Sequence, residues 1–129
     1  MKLLINQLLN AKLTDFGSSR NINMLMTNMT FTKGIGTPTY MSPEILNKQK
    51  CKKRADVYSF VITMYEVMKW GEAYPKSVFR FSWKIANFFQ SEQRLSLEFI
   101  ENEQMKEIIS NSWQQEPNKR YTIDDIKLK

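Results

Sequence analysis

The chain has 129 residues, one cysteine, no histidine and a formal net charge of +6. A chain of this length forms one domain at most, and a single thiol excludes an internal disulfide framework. A metal-binding cluster of thiolates and imidazoles is excluded for the same reason, and we expect a protein of the reducing cytoplasm.

The first fourteen residues are apolar with polar interruptions. The run from Met1 to Ile5 is similar to the start of a signal peptide, but Asn6 and Gln7 break it before it reaches the required length. We therefore expect no export signal and no membrane span. The segment fits two short strands around a turn, and a short helix is the competing interpretation.

Residues 16–41 show no lasting hydrophobic periodicity and are rich in Ser, Thr, Asn and Met. They contain three of the four glycines in the chain, which are Gly17, Gly34 and Gly36. This composition predicts a loop. A loop of that length within a compact domain is usually functional or mobile.

A helix start is predicted at residues 42–44. Ser42 is suited to the N-cap, Pro43 to the first turn, and Glu44 to the positive end of the helix dipole. The helix should run to about Asn47.

A cluster of positive charge follows, formed by Lys48, Lys50, Lys52, Lys53 and Arg54. A nucleic-acid site would need aromatic side chains among these charges to stack on bases, and this stretch has none. We interpret it as a solvated connecting loop, with neither nucleic acid nor an anionic membrane as partner.

The strongest predicted helix runs from about Ala55 to Trp70. Its polar residues Ser59, Thr63 and Glu66 form one narrow stripe, and apolar residues cover nearly all the rest. Such a helix must be surrounded by protein or lipid. It is too short for a bilayer and carries Glu66, so we expect it to be the buried axis of a helical domain.

Three further helices are predicted. Ser82 can cap a helix from Trp83 to about Gln90, and Met105, Ile108, Ile109 and Trp113 mark a second at core spacing that ends by Pro117. Thr122 and Asp125 have the spacing of a capping box that opens a last helix. The chain is therefore predicted to be mainly α, with at most one β-hairpin.

Four sequence signatures in this order resemble the C-terminal lobe of a protein kinase. They are the strand into DFG at residues 11–17, the GTxxYMxPE run at residues 36–44, the DVxSF opening of a central helix at residues 56–60, and the Trp113 to Arg120 run that closes the lobe. The strings are most similar to those of tyrosine-kinase-like Ser/Thr kinases. The resemblance covers residues 11–122.

The resemblance implies roles for residues near the nucleotide. Asp15, with Phe16 and Gly17, would form the DFG motif, and Asp15 would bind the magnesium ion that bridges the ATP phosphates. Thr37 and Tyr40 would lie in the loop that faces the protein substrate, and Thr37 in that place implies Ser/Thr specificity. Thr30 and Thr32 are candidate phosphorylation sites in the activation loop.

The resemblance also implies structural residues. Glu44 and Arg120 would form a buried ion pair that ties the end of the activation segment to the helices behind it. Trp113 belongs to the closing signature. Asp56 would accept backbone N–H groups of the catalytic loop in an intact kinase. The equal alternative is a simple acid at a helix N-terminus.

The whole chain is thus expected to be a partial kinase domain. Residues 1–14 would form a hairpin into DFG, residues 15–44 the activation segment and residues 45–129 a helical subdomain. The Gly-rich loop, the ATP-binding Lys and the HRD catalytic loop are absent from these residues, and Met1 or Lys2 stands where a metal-binding Asn belongs. Val61, Ser112 and Tyr121 also depart from the family pattern, as tolerable packing changes.

Two functions follow from this expectation. The first is a fragment of a Ser/Thr kinase, inactive alone, that binds neither ATP nor magnesium tightly without the rest of the domain. The alternative is a pseudokinase-like protein-interaction module. In both, one side of residues 57–68 should lack cover within the chain and should meet a missing N-lobe or another protein.

Overall fold

The structure, a computed structural model, describes residues 2–7, 10–14, 16, 38–47, 49 and 53–129. The chain divides into two compact units, Met1–Gly36 and Thr37–Lys129. Each unit is described by itself.

The first unit contains a β-hairpin. Strand β1 (Lys2–Ile5) pairs antiparallel with strand β2 (Ala11–Thr14), and Ile5 lies opposite Ala11 at the turn end. Asn6 closes the turn, because its side-chain oxygen accepts a hydrogen bond from the Asn10 amide at 2.8 Å. The predicted pair of short strands is confirmed, and the competing helix is wrong.

The second unit is helical. It begins with a 3₁₀ turn at Pro38–Tyr40, followed by α1 (Pro43–Leu46), α2 (Lys53–Lys69), α3 (Ser82–Gln90) and α4 (Glu103–Ser112). A second 3₁₀ turn at Pro117–Lys119 leads into α5 (Ile123–Lys127). The mainly α fold with one short antiparallel sheet is confirmed.

The core of the second unit surrounds α2. Tyr58, Val61, Ile62 and Tyr65 of α2 are buried against residues of α3, of α4 and of the loops between them. The predicted buried axis is therefore correct for this side of the helix. Phe60, Val67 and Met68 on the same helix are exposed, so its apolar surface is only partly covered.

Helix α2 ends in a Schellman motif at Trp70. The Gly71 amide donates to the Glu66 carbonyl at 3.1 Å, and the Trp70 amide donates to the Val67 carbonyl at 3.2 Å. Trp70 has φ 54°, in the left-handed region that favours glycine. Its side chain is 91% exposed.

One predicted helix boundary is wrong and another is confirmed. Helix α3 begins at Ser82 itself, and Phe81 takes the N-cap position without a capping side-chain hydrogen bond. Helix α4 ends at Ser112, before Pro117 as predicted, and Trp113 takes the C-cap position with its ring buried and its carbonyl accepting a hydrogen bond from Arg94.

The caps at Ser42 and Thr122 differ. Ser42 does occupy the N-cap of α1 with an extended backbone, but its side chain makes no capping bond. Thr122 and Asp125 form the reciprocal capping box that opens α5, so the predicted box is confirmed.

Candidate functional site

A buried ion pair joins the start of α1 to the second 3₁₀ turn. Arg120 donates to both carboxylate oxygens of Glu44, from Nη1 to Oε1 at 2.8 Å and from Nη2 to Oε2 at 2.7 Å. Arg120 is 2% exposed and Glu44 4%. The bidentate geometry is the one that a planar guanidinium forms with a carboxylate and that lysine cannot reproduce.

Arg120 uses every N–H donor that its side chain carries. Beyond the two bonds to Glu44, it donates to the carbonyl groups of Arg54, Gln114 and Gln115 at 3.2, 2.7 and 3.1 Å. An arginine side chain has five donors, so none is left unsatisfied. The guanidinium carbon also lies 5.0 Å from the centre of the Tyr58 ring.

Two opposing effects act on the ionisation of Glu44. Burial disfavours the carboxylate, but the hydrogen bonds and the positive charge of Arg120 favour it, and the pKa of Glu44 lies below its usual range. Glu44 is therefore ionised at neutral pH, and the pair is a true ion pair.

Arg54 adds a second contact between α2 and the segment that carries Arg120. It donates to the Arg120 carbonyl and, at 3.3 Å, to the Asn118 carbonyl. Lys53 and Arg54 belong to α2, so the prediction of a solvated loop is wrong for these two residues. The run of basic residues in the sequence did not indicate that Arg54 would be half-buried. Lys48, Lys50 and Lys52 lie outside the described residues.

Tyr40 anchors the first 3₁₀ turn to α2 through two groups. Its hydroxyl donates to Glu66 Oε2 at 2.7 Å, and its carbonyl accepts from the Ser59 hydroxyl at 2.7 Å. Burial and the neighbouring Glu66 carboxylate raise the pKa of Tyr40 to about 12. The phenol therefore stays protonated and remains a donor throughout the physiological range.

Glu66 also holds the loop that follows α2. Its second oxygen, Oε1, accepts from the Ala73 amide at 3.0 Å. The carboxylate thus connects the Tyr40 turn to the start of the next loop. The polar stripe of Ser59, Thr63 and Glu66 was visible in the sequence as a break in an apolar helix, but its partner Tyr40 was not.

The other two candidate structural residues, Trp113 and Asp56, differ in burial. Trp113 is buried and its ring lies 5.8 Å from that of Tyr65. Asp56 lies in the first turn of α2 with an exposed side chain, and partial desolvation raises the pKa of its carboxyl. Within the described residues, Asp56 accepts no hydrogen bond.

The predicted nucleotide-side residues are mostly beyond the described part of the chain. Asp15, Gly17, Thr30, Thr32 and Thr37 lie outside it. Phe16 is described and is exposed. Among the described residues, no group of three or more Cys, Asp or Glu side chains is placed to hold a metal ion.

Comparison with protein families identifies the family of the chain. The family model described as protein tyrosine and serine/threonine kinase matches residues 1–129. The chain belongs to this kinase family. The resemblance expected from the four signatures is thereby confirmed, and the fold is that of part of a kinase domain.

Several curated kinases are similar to the chain over most of its length. RGS domain-containing serine/threonine-protein kinase A of Dictyostelium discoideum is 30% identical over 93% of the chain, and serine/threonine-protein kinase CTR1 of Arabidopsis thaliana is 31% identical over 96%. Dual specificity protein kinase shkE of Dictyostelium discoideum is also 31% identical over 96%. The matches cover only 10%, 15% and 17% of these three kinases.

No described helix is both long enough and apolar enough to cross a membrane.

Proposed function

We propose that this chain forms the substrate-facing part of a protein kinase domain that transfers the γ-phosphoryl group of ATP to Ser or Thr in a protein. The observation that carries the proposal is the anchoring of residues 38–44 at both ends. Tyr40 is held on α2 by Ser59 and Glu66, and Glu44 is held by Arg120. A segment fixed in this way can present its backbone to a protein substrate in a constant position.

Thr37 supports the Ser/Thr assignment. It directly precedes the anchored Pro38–Tyr40 turn, in the loop that we propose faces the protein substrate. The names of two relatives describe serine/threonine-protein kinases, and a third describes a dual-specificity kinase. We assign the chain to the Ser/Thr class on this basis.

Asp15 is the proposed magnesium ligand, and Phe16 and Gly17 complete its motif. A carboxylate oxygen is the donor type that Mg²⁺ prefers, so the residue fits the ion. Bound Mg²⁺ neutralises the negative charge of the nucleotide phosphates during transfer. We place Asp15 at the border between the proposed hairpin of residues 1–14 and the proposed activation segment of residues 15–44.

We expect these 129 residues to need further parts for catalysis. The sequence contains no Gly-rich loop, no Lys paired with a helix Glu, and no HRD catalytic loop. Those elements bind the phosphates and remove the proton from the acceptor hydroxyl. The chain by itself should therefore bind ATP and Mg²⁺ weakly and should transfer no phosphate.

A chimeric kinase tests the proposed activity. Residues 1–129 would replace the matching part of the kinase domain of CTR1, and phosphate transfer from ATP to protein substrates would be followed by mass spectrometry. We expect Mg²⁺-dependent transfer to Ser or Thr, and loss of transfer in the Asp15→Asn chimera. A folded chimera that binds ATP and transfers nothing, or that modifies only Tyr, would overturn the proposal.

The chain alone provides the complementary measurement. We expect no transfer and no rise in melting temperature on adding ATP and Mg²⁺. Transfer by the purified chain, lost in the Asp15→Asn variant, would show that the missing parts are not needed.

One observation favours a second role as a protein-interaction module. Val78, Phe81 and Trp83, around the start of α3, are 59%, 50% and 58% exposed. Contiguous exposed apolar surface of this kind often marks a site of protein association. This role is compatible with phosphate transfer by a complete domain, and its natural setting is the cytoplasm that the single cysteine favours.

A further inference from the structure

The surface around the start of α3 combines exposed aromatic rings with positive charge. Phe81 and Trp83 stack with ring centres 6.3 Å apart and planes at 10°, yet each remains at least half exposed. The Arg80 guanidinium lies 5.5 Å from the centre of the Phe81 ring. Arginine, phenylalanine and tryptophan thus form one continuous exposed surface.

A shallow groove adjoins this stack. It lies between the loop residues Val78 and Phe79 and the side of α3 that carries Trp83, Asn87 and Phe88. Trp83 and Asn87 are four residues apart and share one face of the helix, whereas Ile85 and Phe89 point into the core. The core therefore fixes α3 in an orientation that leaves the aromatic side of the helix accessible.

The charge of this surface has one sign. Lys76, Arg80 and Lys84 are exposed, and residues 73–91 contain no Asp or Glu. Within the described residues, none of the three forms an ion pair. The ammonium of Lys84 lies near the Val78 carbonyl, at 3.5 Å. Unpaired cations beside an apolar groove are complementary to a partner with the opposite charge.

We propose that this surface, formed by Lys76, Val78, Arg80, Phe81, Trp83 and Lys84, binds an acidic protein segment that carries an aromatic or large aliphatic anchor. The anchor would enter the groove beside Trp83, and the carboxylates of the segment would meet Arg80 and Lys84. Exposed Trp and Arg are the residue types that most often dominate protein interfaces. The inference deepens the proposed function and rests on it for the expectation that the partner is a protein.

A nucleic acid is the other polyanion that stacked aromatics and cations could bind. The surface favours a protein segment because most of the accessible surface of the groove beside Trp83 is apolar, and because Phe81 and Trp83 already stack on each other. A base would have to compete with that stacking. An acidic peptide needs only the groove and the free cations.

Fluorescence anisotropy with the full chain tests the proposal. The probe is a labelled peptide of alternating Glu and Leu with one central Phe. Its matched controls are the same peptide with Gln for every Glu, and a labelled single-stranded oligonucleotide of the same net charge. We expect the acidic peptide to bind, the Gln peptide to bind about tenfold more weakly, and added salt to weaken binding.

Matched variants locate the site. Trp83→Ala and Arg80→Glu should each weaken binding of the acidic peptide by about tenfold or more. Trp70→Ala removes another strongly exposed tryptophan, and Lys119→Glu reverses another exposed lysine, so both should bind as the unchanged chain does. Circular dichroism confirms that each variant is folded.

The outcomes separate this inference from the proposed function. Absence of peptide binding, binding unaffected by Trp83→Ala and Arg80→Glu, or binding of the oligonucleotide alone would overturn the inference. The Asp15→Asn variant should bind the peptide normally, because the surface does not depend on phosphate transfer. An inactive CTR1 chimera that still binds the peptide would reject the proposed activity and leave this surface standing.

Discussion

Arg120 binds both carboxylate oxygens of Glu44, although the two residues are 76 positions apart in the sequence. Both side chains are almost completely buried. Removing one partner strands the other charge in the interior, and such a loss typically costs about 3–5 kcal/mol.

We therefore expect Arg120→Ala to lower the free energy of unfolding by about 3–5 kcal/mol in urea denaturation. Lys119→Ala is the matched control, because Lys119 pairs with Glu116 at the surface and should contribute less than about 1 kcal/mol. Arg120→Lys keeps the charge but loses the bidentate geometry, so its loss of unfolding free energy should lie between those of the other two variants. Equal melting temperatures for Arg120→Ala and Lys119→Ala would contradict the prediction.

The stability contributed by Glu44 should depend on pH in the acid range. Its pKa in the folded protein lies below the ordinary value of 4.5. The contribution is therefore complete above pH 4.5 and is lost as the pH falls through the folded-state pKa. The difference in unfolding free energy between the unchanged chain and Glu44→Gln should shrink in that window. A difference that stays constant from neutral to strongly acidic pH would show that Glu44 is not paired as described.

Tyr40→Phe should destabilise the second unit by about 1–2 kcal/mol, because Glu66 loses a donor at 2.7 Å in a partly buried site. Tyr121→Phe is the control. It also removes a phenol that donates to a carboxylate, Glu107. Glu107 is 42% exposed and keeps Lys129 as a partner at 2.7 Å, so the effect should be smaller. Chemical denaturation of both variants provides the comparison, and the prediction fails if Tyr121→Phe costs as much as Tyr40→Phe.

Replacing Trp70 by glycine should raise stability by up to about 1 kcal/mol. Trp70 ends α2 with φ 54°, which is unfavourable for a residue with a Cβ atom and favourable for glycine. Its side chain is almost fully exposed, so little packing is lost. Trp83→Gly, within α3, should instead lower stability. A lower melting temperature for Trp70→Gly would show that the exposed ring contributes to stability and would contradict the prediction.

The exposed side of α2 should make the purified chain associate with apolar surfaces. Phe60, Val67 and Met68 lie on this side, and we expect binding of a hydrophobic dye and concentration-dependent self-association. Val67→Lys should reduce both. A monodisperse monomer that binds no dye would show that this side of α2 does not promote association.

Local signals in the sequence identified much of the fold. The Thr122 and Asp125 capping box depends only on residues three apart, and the hairpin depends on a short polar turn between two apolar runs. The buried axis of α2 followed from the apolar residues that cover nearly all sides of this helix. Each of these features is decided by neighbours in the chain, which is why the sequence alone was sufficient.

Features decided by tertiary contacts were not predicted. The burial of Arg54 depends on carbonyl groups of the second 3₁₀ turn, and the hydrogen bond of Tyr40 depends on Glu66, 26 positions away. The proximity of Glu44 and Arg120 was expected from the family resemblance, since no local pattern relates two residues so distant.

The separation of Glu44 from Arg120 in the sequence also affects the order in which the chain folds during synthesis. Glu44 leaves the ribosome long before Arg120 does, with 76 positions between them. Until then, Arg120 is not available to pair with the carboxylate, so α1 cannot pack in its final place without burying an unpaired charge. We therefore expect this docking to be among the last steps of folding, and nascent chains that stop short of residue 120 to leave α1 open to proteases.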